Sequence, residues 1–359
     1  MPHYNSYDSF RKKKSREKKE RAKNKGVKLA QDFIVDCALK YGVVVEVRYY
    51  DIDVYYNGEI VLAHLRKDLN RVCNQILFSG DKVVLQFLNN QYIITNLIRR
   101  TSLLSRIKKD STRLDDVGKV RPVAANVDVA LIVVAAHEPP LHPKFIDRYL
   151  MVLQNSQIPV VIVLNKCDLK TILEDRKLEV YKKLGIPVIE TSTYTLNGIE
   201  SFKKMLRGKQ AILVGNSGVG KSSLINAIMG MKEIKTGHVS EKSKKGRHTT
   251  TISKYYVWED GSSIIDTPGI RSLDVSNFRA IKIQDYFKEF QKFRCECKYA
   301  DCLHYHEKIQ NCRIKQEVMK ESISKERYES YLRIMSELLK SDKSKDILKE
   351  METYYEDKC

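Results

Sequence analysis

The chain of 359 residues is 42% hydrophobic and 30% charged, a composition that argues against wholesale disorder and allows about two or three folded domains. Its longest apolar run, residues 129–136, is too short to cross a bilayer, and no apolar segment follows the charged N-terminus. We therefore expect neither a membrane span nor a secretory signal. The net charge of +19 favours a polyanionic partner, nucleic acid before an anionic membrane.

Residues 1–28 concentrate part of this charge, with eleven Lys and Arg against three Asp and Glu and almost no apolar side chains. A segment of this composition cannot bury a core, so we predict a disordered basic arm that becomes helical when bound. Non-specific binding of phosphates is its simplest role. A tail that only keeps the protein soluble is the alternative.

Residues 38–106 contain short runs of β-branched and aromatic residues, separated by turns such as Asn57-Gly58 and Asn89-Asn90. The runs are residues 43–50, 53–56, 60–65, 82–88 and 92–97. Five short strands at this spacing predict a small β-barrel, for which an OB-fold is the natural choice. An SH3-like barrel, or a β domain without a ligand, is the alternative.

Apolar runs and helical stretches alternate over residues 112–280. The predicted strands are 129–135, 160–164, 188–191, 211–214, 255–258 and 263–265, and the predicted helices include 143–155, 175–184 and 221–229. Continuously apolar strands between helices predict an α/β domain whose parallel sheet is covered on both faces. Residues 282–359 predict a mostly helical C-terminal domain, interrupted by a cluster of Cys and His.

A phosphate-binding motif lies between the predicted strand 211–214 and the predicted helix 221–229. Its residues are Gly215, Asn216, Ser217, Gly218, Val219, Gly220, Lys221 and Ser222, in the pattern GxxxxGKS. The glycines let backbone N–H groups surround phosphates, and the helix N-terminus adds partial positive charge. We expect Lys221 to reach the β- and γ-phosphates and take part in catalysis, and Ser222 to bind Mg²⁺.

The residues after strand 160–164 predict which nucleotide base the site recognises. Asn165, Lys166 and Asp168 form the pattern NKxD. The Asp168 carboxylate can accept two hydrogen bonds from guanine, whose N1–H and exocyclic amine have no counterpart in adenine. Asn165 can contact the base edge, and the Lys166 stem can cover the ring. The motif therefore predicts GTP and GDP as ligands. Ser192, after a further strand, suits a backbone contact to guanine.

Two further segments suit the γ-phosphate and its Mg²⁺. Asp266 follows strand 263–265 and can hold Mg²⁺ through water, and the N–H of Gly269 can sense the γ-phosphate. Thr250, in the polar loop 246–251, is expected to complete the Mg²⁺ shell in the triphosphate state. A disordered polar insertion is the alternative interpretation of this loop.

The order of these motifs differs from that of an ordinary GTPase, in which the P-loop comes first. Here Asn165 and Ser192 precede the P-loop and Asp266, so we predict a circularly permuted domain, which is tolerated because domain termini are often close together. Ile270 stands where Ras-like GTPases carry a water-positioning glutamine, so hydrolysis by the chain alone should be slow. His248 is the candidate catalytic residue, and a group supplied by a partner is the alternative.

Four of the eight cysteines fall within 18 residues, beside two histidines. Without a secretory signal, this cluster predicts a metal site rather than disulfides. The expected ligands are Cys297, Cys302, His304 and Cys312, a closed Cys₃His set typical of one structural Zn²⁺. Cys295 and His306 are spare donors that leave the ligand set ambiguous, and free thiols in a reducing cytosol are the alternative.

The permuted motifs, the preceding barrel and the Cys₃His cluster together resemble the ribosome small-subunit-dependent GTPase A family, over about residues 38–335. Matching segments lie at 79–83, 104–106, 147–150, 215–223, which includes Ser223, 246–251 and 326–328. The resemblance implies a cytoplasmic GTPase, expected to be a monomer, that the small ribosomal subunit stimulates. It also implies contacts with ribosomal RNA and a checkpoint role late in the maturation of that subunit, with release after hydrolysis.

Two features depart from this family. Its zinc histidine and last cysteine are usually five residues apart, a spacing that His306 and Cys312 keep and His304 does not. Its members also usually lack so basic an arm as residues 1–28.

Two other functions fit part of the sequence. A permuted GTPase of large-subunit assembly shares the motif order, although that class is expected to lack the barrel–GTPase–zinc arrangement. An RNA-binding protein that senses GTP without a catalytic role is the second. The intact Lys221, Ser222, Asp266 and Asp168 argue against it, because a decaying site normally loses one of them.

Overall fold

The structure is a computed structural model. The part of the chain that it describes begins with closely spaced β-strands. The described residues are 34–36, 40–48, 51–66, 77–107, 120–230, 254–258, 261–266 and 278–339. They form two units, one with the described residues up to Thr101 and Ala124–Asn126, the other with the rest. The α/β and C-terminal regions thus share one unit, and the boundary predicted between them stays a prediction. The basic arm lies outside the described residues.

The first unit contains the predicted barrel. Its strands are β1 (Ile34–Val35), β2 (Gly42–Arg48), β3 (Asp51–Tyr56), β4 (Glu59–Leu65), β5 (Lys82–Leu88) and β6 (Gln91–Ile98). Among these residues the sheet closes in the order β2-β3-β4-β6-β5-β2, with β4 and β6 parallel and the other barrel neighbours antiparallel. This is the strand order of an OB-fold, so the predicted barrel is confirmed. The five predicted strands correspond to β2–β6, and the two-residue β1 was not predicted.

A buried ion pair fixes the turn that enters β5. Asp81 is fully buried, and its carboxylate accepts hydrogen bonds from the guanidinium of Arg100 at 2.7 and 2.8 Å and from the N–H of Phe78 at 2.8 Å. Burial raises the pKa of Asp81, and Arg100 opposes that rise. Asn126 bonds the carbonyl of Gly80 from the other side, so this turn is held by polar groups that the barrel buries.

The second unit is built on a mixed sheet. Strands β7 (Leu103–Ile107) and β8 (Val120–Ala125) form a separate pair, and β9 (Val129–Ala135), β10 (Val160–Asn165), β11 (Val188–Glu190), β12 (Gln210–Val214), β13 (Lys254–Val257) and β14 (Ser263–Asp266) form the sheet. Its order is β11-β10-β9-β12-β14-β13, parallel except for β13. Every residue of β9 is buried, as expected for a central strand covered on both faces.

The helices of this region are α1 (Pro143–Asn155), α2 (Ile172–Lys183), α3 (Ile199–Leu206) and α4 (Lys221–Met229). Pro143 begins α1, where a missing N–H costs nothing, and Thr171 with Glu174 forms a capping box at the start of α2. The predicted strands of the α/β domain and its three named helices are confirmed to within a few residues.

The C-terminal region is helical around an aromatic core. It contains α5 (Ala280–Ile283), α6 (Arg313–Met319), α7 (Lys325–Leu339) and 3₁₀ turns at Gln284–Tyr286, Lys288–Lys292, Arg294–Glu296 and Ile309–Asn311. Phe287, Phe290, Tyr305, Tyr328 and Tyr331 fill the interior. The predicted mostly helical C-terminal domain is confirmed for the described residues up to Leu339, and its remainder lies outside them. No described helix is both long and apolar enough to cross a membrane.

The buried Asp81–Arg100 pair should contribute strongly to the stability of the barrel. Asp81→Ala leaves the Phe78 N–H and the Arg100 cation without their buried partner, and we expect it to destabilise the barrel by about 3 kcal/mol. Native-state hydrogen exchange of the barrel amides measures this loss. The control is Asp36→Ala, which removes the exposed partner of Arg99 and should leave the exchange unchanged. Equal effects of the two variants would contradict this assignment.

Candidate functional site

The predicted nucleotide motifs lie at one edge of the sheet. Asn165 ends β10, the P-loop (residues 215–222) follows β12, and Asp266 ends β14. Because these strands are parallel, their carboxyl ends meet on the same side. Thr191 and Ser192 reach this edge after β11. Segments that are far apart and permuted in sequence therefore converge, as a ligand site at the end of an α/β sheet requires.

The P-loop has the backbone of an anion-binding turn. Gly215 and Gly220 have φ values of 149° and 89°. A Cβ atom on Gly215 would lie 2.3 Å from the carbonyl oxygen of Val133, and one on Gly220 would lie 2.3 Å from Nδ2 of Asn165. Both positions therefore require glycine for conformation and for space.

The start of α4 supplies charge to this loop. Lys221 is the first helical residue, and its ammonium donates hydrogen bonds to the carbonyls of Gly215 and Asn216 at 2.8 and 2.7 Å. Ser222 and Ser223 lie exposed in the first turn. The helix N-terminus and the lysine together form a positive site over the loop, suited to the β- and γ-phosphates of a nucleotide.

Asn165 joins the nucleotide-binding loops. Its side chain is fully buried, and its amide donates to the carbonyl of Val219 in the P-loop at 3.0 Å. Its amide oxygen accepts from the hydroxyl of Thr191 at 3.4 Å. The amide therefore connects the ends of β10, β11 and β12, while the carboxylate of Asp168, three residues on, is exposed and available to a base.

The other residues of the base-binding loops are fixed by local bonds. Lys166 adopts a left-handed conformation, with φ 57°, and its ammonium contacts the carbonyl of Glu138. The buried hydroxyl of Ser192 accepts from the N–H groups of Tyr194 and Thr195 at 3.2 and 3.1 Å. This bonding shapes the loop after β11.

Three predicted site residues, His248, Thr250 and Gly269, lie outside the described residues. Asp266 is described at the end of β14, and its charge adds to the rise that burial causes in the pKa of Tyr256 on the neighbouring strand. The structure therefore brings together the phosphate and base motifs, and it places the predicted Mg²⁺ ligands Ser222 and Asp266 at the same sheet edge.

The Cys and His cluster converges in the C-terminal region. One ligand atom from each of Cys297, Cys302, His304 and Cys312 lies within 4.8 Å of the others. His304 Nδ1 lies 3.6, 3.2 and 3.4 Å from the three sulfur atoms, in the order of the cysteines. Donors bound to a tetrahedral zinc ion lie roughly 3.5 Å apart, so the geometry and donor chemistry fit zinc.

The arrangement distinguishes between the two histidines. His304 is fully buried, whereas His306 and the spare Cys295 are exposed outside the cluster. The ring of His304 is oriented by Gln284, whose side-chain oxygen lies 2.9 Å from Nε2. Hydrogen bonds among the three thiols lower the pKa of Cys297 and raise the pKa of Cys302 and Cys312, so the thiolate, the form that binds metal, is favoured at Cys297.

The fold and these sites define a class: a P-loop GTPase domain in permuted order, between an OB-fold barrel and a helical region with a Cys₃His cluster. The family model for the RsgA GTPase matches residues 97–276, half of the chain. A second model, for a 50S ribosome-binding GTPase, matches residues 210–347. The chain belongs to the RsgA GTPase family and is a GTP hydrolase.

Two solved structures resemble the chain over most of its length. The crystal structure of YjeQ from Thermotoga maritima is 30% identical, with 84% of this chain and 98% of that chain covered and a TM-score of 0.63. The crystal structure of YloQ, a circularly permuted GTPase, is 24% identical, covers 84% of this chain and 95% of that chain with a TM-score of 0.60, and shows the same fold.

Several contacts that support these sites could not be predicted from the sequence. Thr191 and Val219 complete the contacts of Asn165, and Gln284 orients His304. Gln284 is 20 residues from its histidine and outside any motif, so only the folded chain reveals its role. The segment 147–150 belongs to the family resemblance, but its contacts are not predictable from the sequence.

The exposed carboxylate of Asp168 predicts a change of base specificity. In Asp168→Asn the amide can no longer accept both guanine hydrogen bonds, but it can donate to the carbonyl that xanthine carries in place of the exocyclic amine. We expect GDP affinity to fall by about 100-fold or more and affinity for xanthosine diphosphate to rise. Calorimetric titration measures both. Asp175→Asn, which changes an exposed carboxylate bonded to Lys170, is the control, and a GDP affinity unchanged in Asp168→Asn would refute the role.

Substitution of His304 and substitution of His306 should have opposite effects on zinc content. His304→Ala removes a buried ligand, so bound zinc should fall from about one ion per chain to near zero, with a lower melting temperature. His306→Ala removes an exposed ring outside the cluster and should keep its zinc. Elemental analysis of the purified variants makes the comparison, and zinc loss in His306→Ala alone would reverse the ligand assignment.

Proposed function

We propose that this GTPase acts on the small ribosomal subunit, which stimulates its hydrolysis of GTP late in subunit maturation, and that hydrolysis releases the protein. The proposal rests on the order of the regions along the chain: the barrel comes first, then the permuted GTPase domain, then the Cys₃His region. The YjeQ structure shares this architecture over 98% of that chain. The net charge of +19 supports a ribosomal RNA partner. The same proposal implies a cytoplasmic monomer.

The described residues suggest how GTP is held. Lys221 and the N–H groups of the P-loop bind the β- and γ-phosphates, and Asp168 selects guanine. Ser222 and Asp266, with Thr250, would hold Mg²⁺, which supplies charge neutralisation on the phosphates when bound. Their hydroxyl and carboxylate oxygens are the donors that Mg²⁺ prefers.

The attacking water is the weak point of the isolated chain. Ile270 cannot orient water, so we propose that Gly269 senses the γ-phosphate and that His248 positions the water when the ribosome is bound. A group supplied by the ribosome is the alternative. Either case makes hydrolysis dependent on the subunit.

The flanking regions are proposed to provide the RNA contacts. The barrel is an OB-fold, a scaffold that binds oligonucleotides in many proteins. In the C-terminal region a closed Cys₃His set leaves no open coordination position, so the zinc that it fits is proposed to be structural. The basic arm at 1–28 would add salt-sensitive contacts to phosphates.

A second candidate is action on the large subunit, which the description of the second family model favours. That match begins at β12 and so omits the barrel and Asn165. An RNA binder that senses GTP without catalysis is the remaining candidate. The rate of GTP turnover with each ribosomal subunit distinguishes the three candidate functions.

The test is steady-state GTP turnover at one salt concentration, alone and with purified small or large subunits. We expect stimulation by small subunits only, and a loss of about 100-fold or more in Lys221→Ala, because a fixed charge on the transferred phosphate is removed. His248→Ala should lose the stimulated rate and keep GDP affinity. Stimulation by large subunits would favour the second candidate, and no stimulation by either, with GTP still bound, would refute the checkpoint role.

A further inference from the structure

The loop at residues 302–307 supplies two of the four candidate metal ligands, Cys302 and His304. Its backbone is unusual at His304, where φ is 55°, in the left-handed region. Residues other than glycine adopt this region rarely, because their Cβ comes close to the carbonyl oxygen that follows. Such a backbone persists where its surroundings hold it in place. The contacts of the loop therefore show which groups fix the histidine.

The carboxylate of Glu307 closes the loop from within. Its Oε1 accepts a hydrogen bond from the N–H of Leu303 at 2.8 Å, and its Oε2 accepts one from the N–H of Tyr305 at 2.9 Å. These two N–H groups lie on either side of His304 in the sequence. Because hydrogen bonds to a carboxylate are stronger than those between neutral groups, one side chain fixes the backbone on both sides of a candidate ligand.

The ammonium of Lys315 holds the carbonyl groups of the same loop. Lys315 lies on α6, just after the candidate ligand Cys312, and its side chain is 1% exposed. It donates hydrogen bonds to the carbonyl of Tyr305 at 3.2 Å and to that of Glu307 at 2.6 Å. A buried ammonium is costly unless polar groups surround it. The loop carbonyls provide part of that surrounding, so the lysine and the loop stabilise each other.

Two tyrosines of α7 add to this support. The hydroxyl of Tyr328 donates to the carbonyl of His304 at 2.7 Å, and the hydroxyl of Tyr331 donates to the carbonyl of Leu303. Both rings belong to the buried aromatic core, which also includes Met151 of α1. All of these donors and acceptors belong to the loop itself or to helices α6 and α7. The conformation of the loop is therefore fixed by side chains of the protein.

The candidate ligand atoms are oriented by hydrogen bonds as well. The side-chain amide of Gln284 donates to the carbonyl of Ile281 at 3.1 Å, so its oxygen faces Nε2 of His304 at 2.9 Å. This arrangement leaves Nδ1 of the ring directed at the three sulfur atoms. The backbone N–H of Arg313 donates to Sγ of Cys297 at 3.3 Å. Ligand atoms on both sides of the cluster are thus held by the fold.

We propose that Glu307 and Lys315 are positioning residues of the metal site, which hold the loop 302–307 in its zinc-binding conformation before the ion binds. Zinc then enters a preformed site, and its removal leaves the helical C-terminal region folded. In many small zinc domains the metal drives folding instead. This inference concerns the metal site alone and does not depend on action at the ribosome.

The test measures zinc affinity of the full-length chain by competition with a chelator of known affinity. Glu307→Gln keeps the shape of the side chain but places an amide NH₂ group against one of the two loop N–H groups. Lys315→Met keeps the apolar stem and removes the ammonium. The matched controls are Glu326→Gln and Lys320→Met, which change exposed groups whose partners lie outside the loop.

We expect Glu307→Gln and Lys315→Met each to bind zinc about tenfold to 100-fold more weakly than the wild type, the usual effect of losing a group that orients a metal ligand. At saturating Co²⁺ the visible absorption spectrum should match that of the wild type, since the same four ligand atoms remain. GDP affinity and the helical circular dichroism should not change. Both controls should match the wild type throughout.

Chelation of the wild-type chain tests whether the loop is preformed. After zinc is removed, the amides of Leu303 and Tyr305 should stay protected from hydrogen exchange, and the helical signal should persist. In metal-free Glu307→Gln the same two amides should exchange about tenfold faster or more, because one of their acceptors is lost.

A zinc affinity within about twofold of wild type in folded Glu307→Gln would overturn the proposal, even if Lys315→Met did not fold. Loss of amide protection or of the helical signal when the wild type is chelated would also overturn it, since the metal would then form the site. A lower melting temperature of Glu307→Gln with unchanged zinc affinity would reduce this carboxylate to a structural role, which contradicts the proposal as well.

Discussion

The nucleotide site depends on the buried amide of Asn165. Its bonds to Val219 and Thr191 draw together the loops after β12, β10 and β11. A buried amide that lost these partners would carry a large desolvation cost, so the loops are held in one relative arrangement. The carboxylate of Asp168, proposed to recognise the base, and the ammonium of Lys221, proposed to bind phosphate, are expected to keep their spacing through this residue.

This constraint explains why the permuted chain order is compatible with a GTPase. The loops need to meet in space and not in any sequence order, and parallel strands bring their carboxyl ends to one edge however the connections run. The permutation instead changes which segment of the chain follows β14, the last strand of the sheet in sequence. The chain leaves β14 and continues into the C-terminal region, so the segment expected to respond to the γ-phosphate precedes the aromatic core directly.

That region is closely joined to the GTPase fold. The Arg327–Asp147 pair is buried, and the tyrosines of α7 bond the backbone of the Cys₃His cluster. A domain that moved freely after hydrolysis would have to break this pair, at the cost of leaving charges unpaired. The metal cluster, α7 and α1 are therefore joined by continuous contacts.

The local patterns in the sequence were sufficient for much of this fold. Hairpin turns at Asn57-Gly58 and Asn89-Asn90 and continuous apolar strands such as β9 follow from backbone chemistry within a few residues. The choice between His304 and His306 did not follow from the sequence, because it depends on which ring is buried with the three sulfur atoms. The buried pair of Arg327 with Asp147 was also inaccessible, since the two residues are 180 positions apart in the sequence.

The most direct test of the assembled site is a calorimetric titration of the full-length chain with GDP and, separately, with ADP, in the presence of Mg²⁺. If Asn165 holds the base and phosphate loops in one arrangement, GDP should bind at one site per chain and ADP should give no measurable heat of binding. Equal affinity for the two nucleotides, or no binding of GDP, would contradict the account.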